Sequence, residues 1–191
     1  PDLMTVDPIE PLEGSRFSIQ TWVSPVGVIR IWNPIMTQRD SAQEGYCLYV
    51  YDDRPTFSVK TAGLSAITAG PDKVTPNEWI NLAVTNDGSN IRLYIDGELI
   101  ASVSSVGFTG TDHYACIGGD HIGPSHYRGI IDDLRIYDRA LGQHEFAGMT
   151  DVMERWSRKF SWRSSTYDGG SPGYDDSGVM PPPGSVVINE V

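Results

Sequence analysis

Apolar residues alternate with polar ones at Ile91, Leu93 and Ile95, with Arg92, Tyr94 and Asp96 between them. This period of two marks a strand with one buried face. Asn86-Asp87-Gly88-Ser89-Asn90 precedes it and Asp96-Gly97 follows it. Asp-Gly pairs tolerate the positive φ of tight hairpins, so Trp79 to Val103 is predicted to be a three-stranded meander. Comparable runs rich in Val, Ile, Tyr and Trp stand at Phe17 to Val23, Val28 to Trp32, Tyr46 to Tyr51, Thr56 to Lys60, Trp79 to Thr85, His113 to Ile117 and Ile130 to Tyr137, with a further one near Leu3 to Val6. Short strands separated by turn residues predict an all-β, antiparallel two-sheet sandwich, with Trp22 and Trp79 in its core.

The one helical pattern is Leu141, Glu145, Phe146 and Met149, spaced for one apolar face although Gly142 and Gly148 weaken it. It predicts a short helix over 140–153, packed on the sandwich edge. Beyond Met153 the composition changes. Residues 154–163 place four basic residues among three aromatics, and 164–185 run through Ser, Gly, Asp and Pro to Pro181-Pro182-Pro183-Gly184. The latter reads as a linker stiffened by polyproline. A last apolar run, Val186 to Val191, reads as a strand. The expected organisation is a sandwich domain over 1–150, an aromatic and basic segment with its linker over 151–185, and a strand over 186–191.

Charge removes one class of partner. The 191 residues carry 14 Lys and Arg against 25 Asp and Glu, a formal net charge of -11. Such a surface repels a phosphate backbone, so nucleic acid is excluded. No run approaches the roughly 18 to 20 apolar residues of a membrane span. The chain begins at Pro1 and ends inside a strand-like run, which is expected of a piece of a longer protein or of a processed chain.

Four stretches occur in a recognisable order: Phe17-Ser-Ile-Gln-Thr-Trp-Val-Ser-Pro25, Trp79-Ile-Asn-Leu-Ala-Val-Thr-Asn-Asp-Gly88, Ile91-Arg-Leu-Tyr-Ile-Asp-Gly97, and Tyr127-Arg-Gly-Ile-Ile-Asp-Asp-Leu-Arg-Ile-Tyr137 followed by Asp138-Arg139-Ala140-Leu141 and Glu145. Over about residues 3–150 the chain resembles the laminin-G-like, concanavalin A-like jelly-roll domains of bacterial secreted proteins. It departs from them after Trp79, where Ile80-Asn81 stands in place of a frequent His. Val186 to Val191 resembles the opening strand of bacterial lamin-tail domains. The resemblance implies an extracellular or cell-surface location. A jelly roll serves lectins, glucanases, adhesion modules and spacers alike, so function rests on its sites.

Ile130, Asp132, Leu134 and Ile136 share one face of an unbroken strand, which sets the Asp132 carboxylate at or near the core and Asp133 toward solvent. A buried charge needs a cation, an Arg or several N–H donors. The resemblance implies a structural Ca2+ on Asp132, completed by main-chain carbonyls and water; a hydrogen-bonded Asp without metal is the alternative. Glycoside hydrolysis on this fold needs paired carboxylates, which the family writes Glu-x-Asp-x-x-Glu. No such spacing occurs, since Glu78, Glu98, Glu145 and Glu154 are scattered. No Gly-x-Ser-x-Gly elbow or nucleotide-binding glycine loop occurs either, so no catalytic residue is assigned. Asp112-His113, Asp120-His121 and His126 match no compact metal spacing and read as a polar loop.

Sugar binding uses aromatic faces ringed by polar groups. The candidates are Trp32, Tyr49, Tyr51, Asp52, Asp53, Arg54, His126 and Tyr127, each of which the sandwich could instead use for packing or turns. The segment from Trp156 to Trp162 is read as a docking element for an anionic partner or as a strap over its own acidic domain. Cys47 and Cys116 form one disulfide or remain two buried thiols. Two functions follow: an extracellular carbohydrate-binding or adhesion module with a structural calcium, or an assembly domain that binds no glycan and self-associates through its C-terminal strand. A glycoside hydrolase is a distant third.

Overall fold

The computed structural model describes residues 3–9, 16–27, 32–62, 64–70, 74–107, 113–123 and 125–146, and the backbone of 185–188. The basic and aromatic segment, the polyproline linker and the second half of the expected helix lie outside the described residues. The strands are β1 (Met4–Val6), β2 (Arg16–Pro25), β3 (Asn33–Arg39), β4 (Gly45–Tyr51), β5 (Arg54–Thr61), β6 (Leu64–Ala69), β7 (Ile80–Asp87), β8 (Asn90–Ile95), β9 (Glu98–Ser104), β10 (Ala115–Ile117), β11 (Gly129–Tyr137) and β12 (Ser185–Ile188). They form two six-stranded sheets, in the orders β1-β10-β3-β4-β5-β6 and β12-β11-β2-β7-β8-β9. Every pairing is antiparallel.

Alternation along each strand decides what enters the space between the sheets. Phe17, Ile19 and Val23 of β2, Leu82 and Val84 of β7, and Ile91 and Leu93 of β8 meet Tyr46, Leu48 and Val50 of β4 and Phe57 and Val59 of β5. Phe17 joins the two layers at the centre, with ring centroids 6.2 Å from Tyr46 and 6.1 Å from Phe57. The Tyr46 hydroxyl donates to Gln38 Oε1 at 2.7 Å, which satisfies both polar groups inside the core.

The meander is present as expected. Asp96 (φ 50°) and Gly97 (φ 80°) make the tight turn between β8 and β9. At the β7–β8 turn, Asp87 Oδ1 accepts from the amides of Asn90 (2.7 Å) and Ser89 (2.8 Å), and Oδ2 accepts from Arg92 at 2.6 Å. Led by the Asn90 amide, these bonds hold the Asp87 carboxyl down at about 2. A depressed folded pKa contributes stability that is present above the unfolded value near 3.9 and lost as pH falls through about 2. Asp87→Asn keeps the turn acceptor and loses the charge. We expect it to cost about 1 kcal/mol at pH 7 in urea melts, after allowing for solvent screening, and to flatten the stability profile between about pH 4 and pH 2.

Three expectations require correction. The register of β11 slips against β2 between Asp132 and Arg135, and Asp133 has φ 50°. This bulge spends one extra residue and reverses which side chains face inward. Ile131, Leu134 and Ile136 therefore enter the core while Ile130 is exposed, so the four residues from Ile130 to Ile136 do not share a face. Asp133 is buried rather than solvent-facing, its Oδ1 accepting from Arg135 Nε at 2.8 Å. Trp79 lies before β7 and is exposed, whereas Trp22 is buried.

The outer face of the sheet containing β2 is covered from the chain's own C-terminal side. Ala83, Tyr94 and Tyr137 pack with Leu141 and Phe146, and a single helical turn at 143–146 carries Phe146 there. The Ser18 hydroxyl ties this strap down by donating to the Arg139 carbonyl and accepting from the Leu141 amide, both at 2.8 Å. β12 extends the same sheet by pairing with β11 from Leu134↔Ile188 to Tyr137↔Ser185. The other sheet's outer face bears the polar and aromatic residues considered next.

Candidate functional site

On that face, pleating directs Thr37 and Arg39 of β3, Cys47, Tyr49 and Tyr51 of β4, and Cys116 of β10 outward. Asp120 meets them from the loop after β10. That loop folds back on itself, because the Gly118 carbonyl accepts from the Tyr127 amide (2.8 Å) and the Ser125 carbonyl from the Asp120 amide (3.1 Å). Asp120 Oδ1 accepts from Arg39 Nε at 3.3 Å, and Oδ2 pairs with the Arg39 guanidinium as well. The Thr37 hydroxyl lies 3.4 Å from Oδ1. The Asp120 side chain is 1% exposed and that of Arg39 13%, so this is a buried ion pair. Burial works against the Arg39 charge, but the Asp120 hydrogen bond and charge outweigh it and raise its pKa.

Above the pair lies an aromatic platform. The Arg39 guanidinium carbon sits 4.4 Å from the centroid of the Trp32 ring, a cation–π contact. Tyr49 meets the same indole edge-on, at 6.0 Å and 69°. Trp32 and Tyr49 are half-buried and Tyr51 is exposed. Next to Asp120 in the same loop, the ring of His121 lies 5.0 Å from that of exposed Tyr114 and 6.0 Å from that of His113. The result is a half-exposed indole held by the Arg39 guanidinium over its face and by the Tyr49 ring at its edge.

The candidates read from sequence separate here. Trp32, Tyr49 and Tyr51 come together on this face. Asp52 and Asp53 form the two-residue turn between β4 and β5, with φ 49° and 60°, and Tyr51 pairs with Arg54 across it. Asp tolerates this conformation better than most residues, which gives both aspartates a role in the turn. Arg54 donates to the Gly70 carbonyl at 3.4 Å. His126 bridges Gly119 across the folded loop. Tyr127 packs against the core, where burial pushes its phenol pKa up. The Arg39–Asp120 pair was missed. Its partners are 81 residues apart, and no spacing in sequence announces such a contact.

Strand order decides between the two alternatives for the cysteines. Cys47 and Cys116 both stand opposite Thr37, one on each side of β3. Two strand spacings separate them by about 10 Å, beyond the roughly 7 Å Cα separation that a disulfide tolerates. Both are free and buried thiols. Burial raises Cys47 to about 12, so it is protonated and inert at neutral pH.

Asp132 is buried on β11, its Oδ1 accepting from the Asp133 amide at 2.8 Å and its carbonyl from the Thr21 hydroxyl at 3.0 Å. Asp133 is held by Arg135, so side-chain oxygen for a cation here comes from Asp132, with main-chain carbonyls needed for the rest. Among the described residues, no three His, Cys, Asp or Glu side chains gather to hold a metal.

Residues 2–147 match the concanavalin A-like lectin/glucanases superfamily. The chain belongs to this superfamily. No curated protein sequence matches it. Among solved structures, it is similar to a native heptameric SAP-like pentraxin from Limulus polyphemus, at 17% identity, TM-score 0.57, and coverage of 78% of this chain and 74% of the pentraxin. It is also similar to the binding domain of Paraclostridial Mosquitocidal Protein 1, at 18% identity, TM-score 0.64, and coverage of 78% and 41%. The botulinum neurotoxin serotype G binding domain is similar at 15% identity, TM-score 0.60, and coverage of 78% and 38%. This superfamily member thus spans about two fifths of the length of the toxin domains, and these likenesses establish its fold. Among the described residues no helix is long and apolar enough to cross a membrane.

Proposed function

We propose that this domain is a non-catalytic, extracellular carbohydrate-binding or adhesion module, and that its ligand lies against Trp32. The observation that carries this reading is the half-exposed indole held by Arg39 and Tyr49 on a sheet face. An ordered aromatic face with polar groups around it suits the apolar face of a pyranose ring. The similar pentraxin and toxin binding domains support a binding role. A non-catalytic reading is favoured by Asp120, the acid that meets Arg39 under the indole, which is buried and held in that ion pair. Glycoside hydrolysis needs two acids open to the sugar bond.

Trp32→Ala is expected to weaken glycan binding at least tenfold in titration calorimetry while the domain remains folded, since about 1.4 kcal/mol of lost stacking suffices. Equal affinity in both proteins would move the ligand off this face. Calcium enters the proposal at Asp132 in one testable form. EDTA is expected to lower the melting temperature of the parent chain and to leave Asp132→Ala unchanged. Identical melts with and without Ca2+ would assign Asp132 to the bulge alone.

A further inference from the structure

The charges around Trp32 constrain what it can hold, and this deepens the reading of the platform as a sugar site. The Arg39 guanidinium covers one face of the indole, so a ligand meets the opposite face and the ring edges. Its charge is also matched by Asp120, which leaves the buried pair with no net charge to offer an anion. Among the described residues of β5, Lys60 and Arg54 point to main-chain carbonyls, Lys60 to Ala42 at 2.9 Å and Arg54 to Gly70 at 3.4 Å, while Arg128 is tied beside Trp32 through its amide, which donates to Asn33 Oδ1 at 2.6 Å. With a net charge of -11 on the whole chain, approach of a uronate or a sulfated glycan is opposed. A cationic amino sugar meets a different obstacle. The attraction of the ring for positive charge is already used by Arg39, which would repel a second cation across the indole.

We infer that the ligand of this platform is an uncharged pyranose sugar, recognised by its apolar ring face and its hydroxyls, and not a uronate, sulfated or amino sugar. Arg39 then acts as a positioning residue that fixes the indole rather than as an anchor for the ligand's charge.

The test is titration calorimetry of the whole chain against neutral gluco-, manno- and galacto-oligosaccharides, an oligogalacturonate, a sulfated oligosaccharide and a chitosan oligomer, at about 0.05 and about 0.5 M NaCl. The expected result is binding by a neutral series alone, with the Kd changing less than about twofold between the two salt concentrations and lost in Trp32→Ala. Binding by a charged series alone, weakening steeply with salt and abolished by Trp32→Ala, would overturn the inference and leave the sugar site standing. Binding by none of them would overturn both.

Discussion

Arg39→Ala is expected to destabilise the domain by about 3 kcal/mol, because it strands the Asp120 carboxylate in a place that water does not reach. The Asp120 side chain is 1% exposed, and its oxygens face Arg39 and the Thr37 hydroxyl. Removing both charges leaves no orphan, so Arg39→Ala with Asp120→Ala should be more stable than Arg39→Ala alone. Urea unfolding of the two single variants and the double variant measures this coupling. The single change should also loosen Trp32, which loses the group against its face. That loss should appear as a weaker near-ultraviolet circular dichroism signal. A cost below about 0.5 kcal/mol would mean that water reaches Asp120, as it does in exposed pairs.

Phe17→Ala is expected to cost about 4 kcal/mol and to lower the melting temperature by roughly 10 °C. Phe17 is fully buried and its ring touches Tyr46 and Phe57 of the facing sheet, so its removal opens a cavity between the layers. With natural stabilities of about 5 to 15 kcal/mol, this change consumes a large share of the total. A loss under about 1.5 kcal/mol would show that the sheets are held elsewhere.

The fold was legible where local chemistry and tertiary structure agree. Asp96-Gly97 and the Asp87-Gly88 turn announce the meander because each turn is specified by the residues inside it. β3 was not found, since Pro34 lacks an N–H for a ladder and Thr37, Gln38 and Arg39 give no apolar alternation. In the structure Pro34 stands at the strand's start beside a register shift, and Gln38 is buried on the Tyr46 hydroxyl. β6 was also missed. It is an edge strand whose inward residues are Ala66 and Thr68, while Ile67 and Leu64 are exposed, so its apolar pattern is inverted. The face of β11 was misread because a bulge leaves no mark in a count of alternating positions.

The candidate site was half legible for the same reason. Trp32, Tyr49 and Tyr51 drew notice as aromatics near strand ends, and they share a face through the pairing of β3 with β4. The pair that fixes Trp32 depends on β10 lying beside β3, a strand order that sequence spacing does not encode. The choice between a disulfide and two thiols stayed open in the sequence on the same point, as β3 separates the two cysteines.

Amide NMR of the labelled chain, titrated with the neutral oligosaccharide that binds best, tests the central claim most directly. Shift changes that cluster on β3, β4 and the loop around Asp120, and vanish in Trp32→Ala, are the predicted result. Changes confined to the strap over β2, to the β11 bulge or to the turn at Asp52 and Asp53 would contradict the assignment of the ligand to the Trp32 platform.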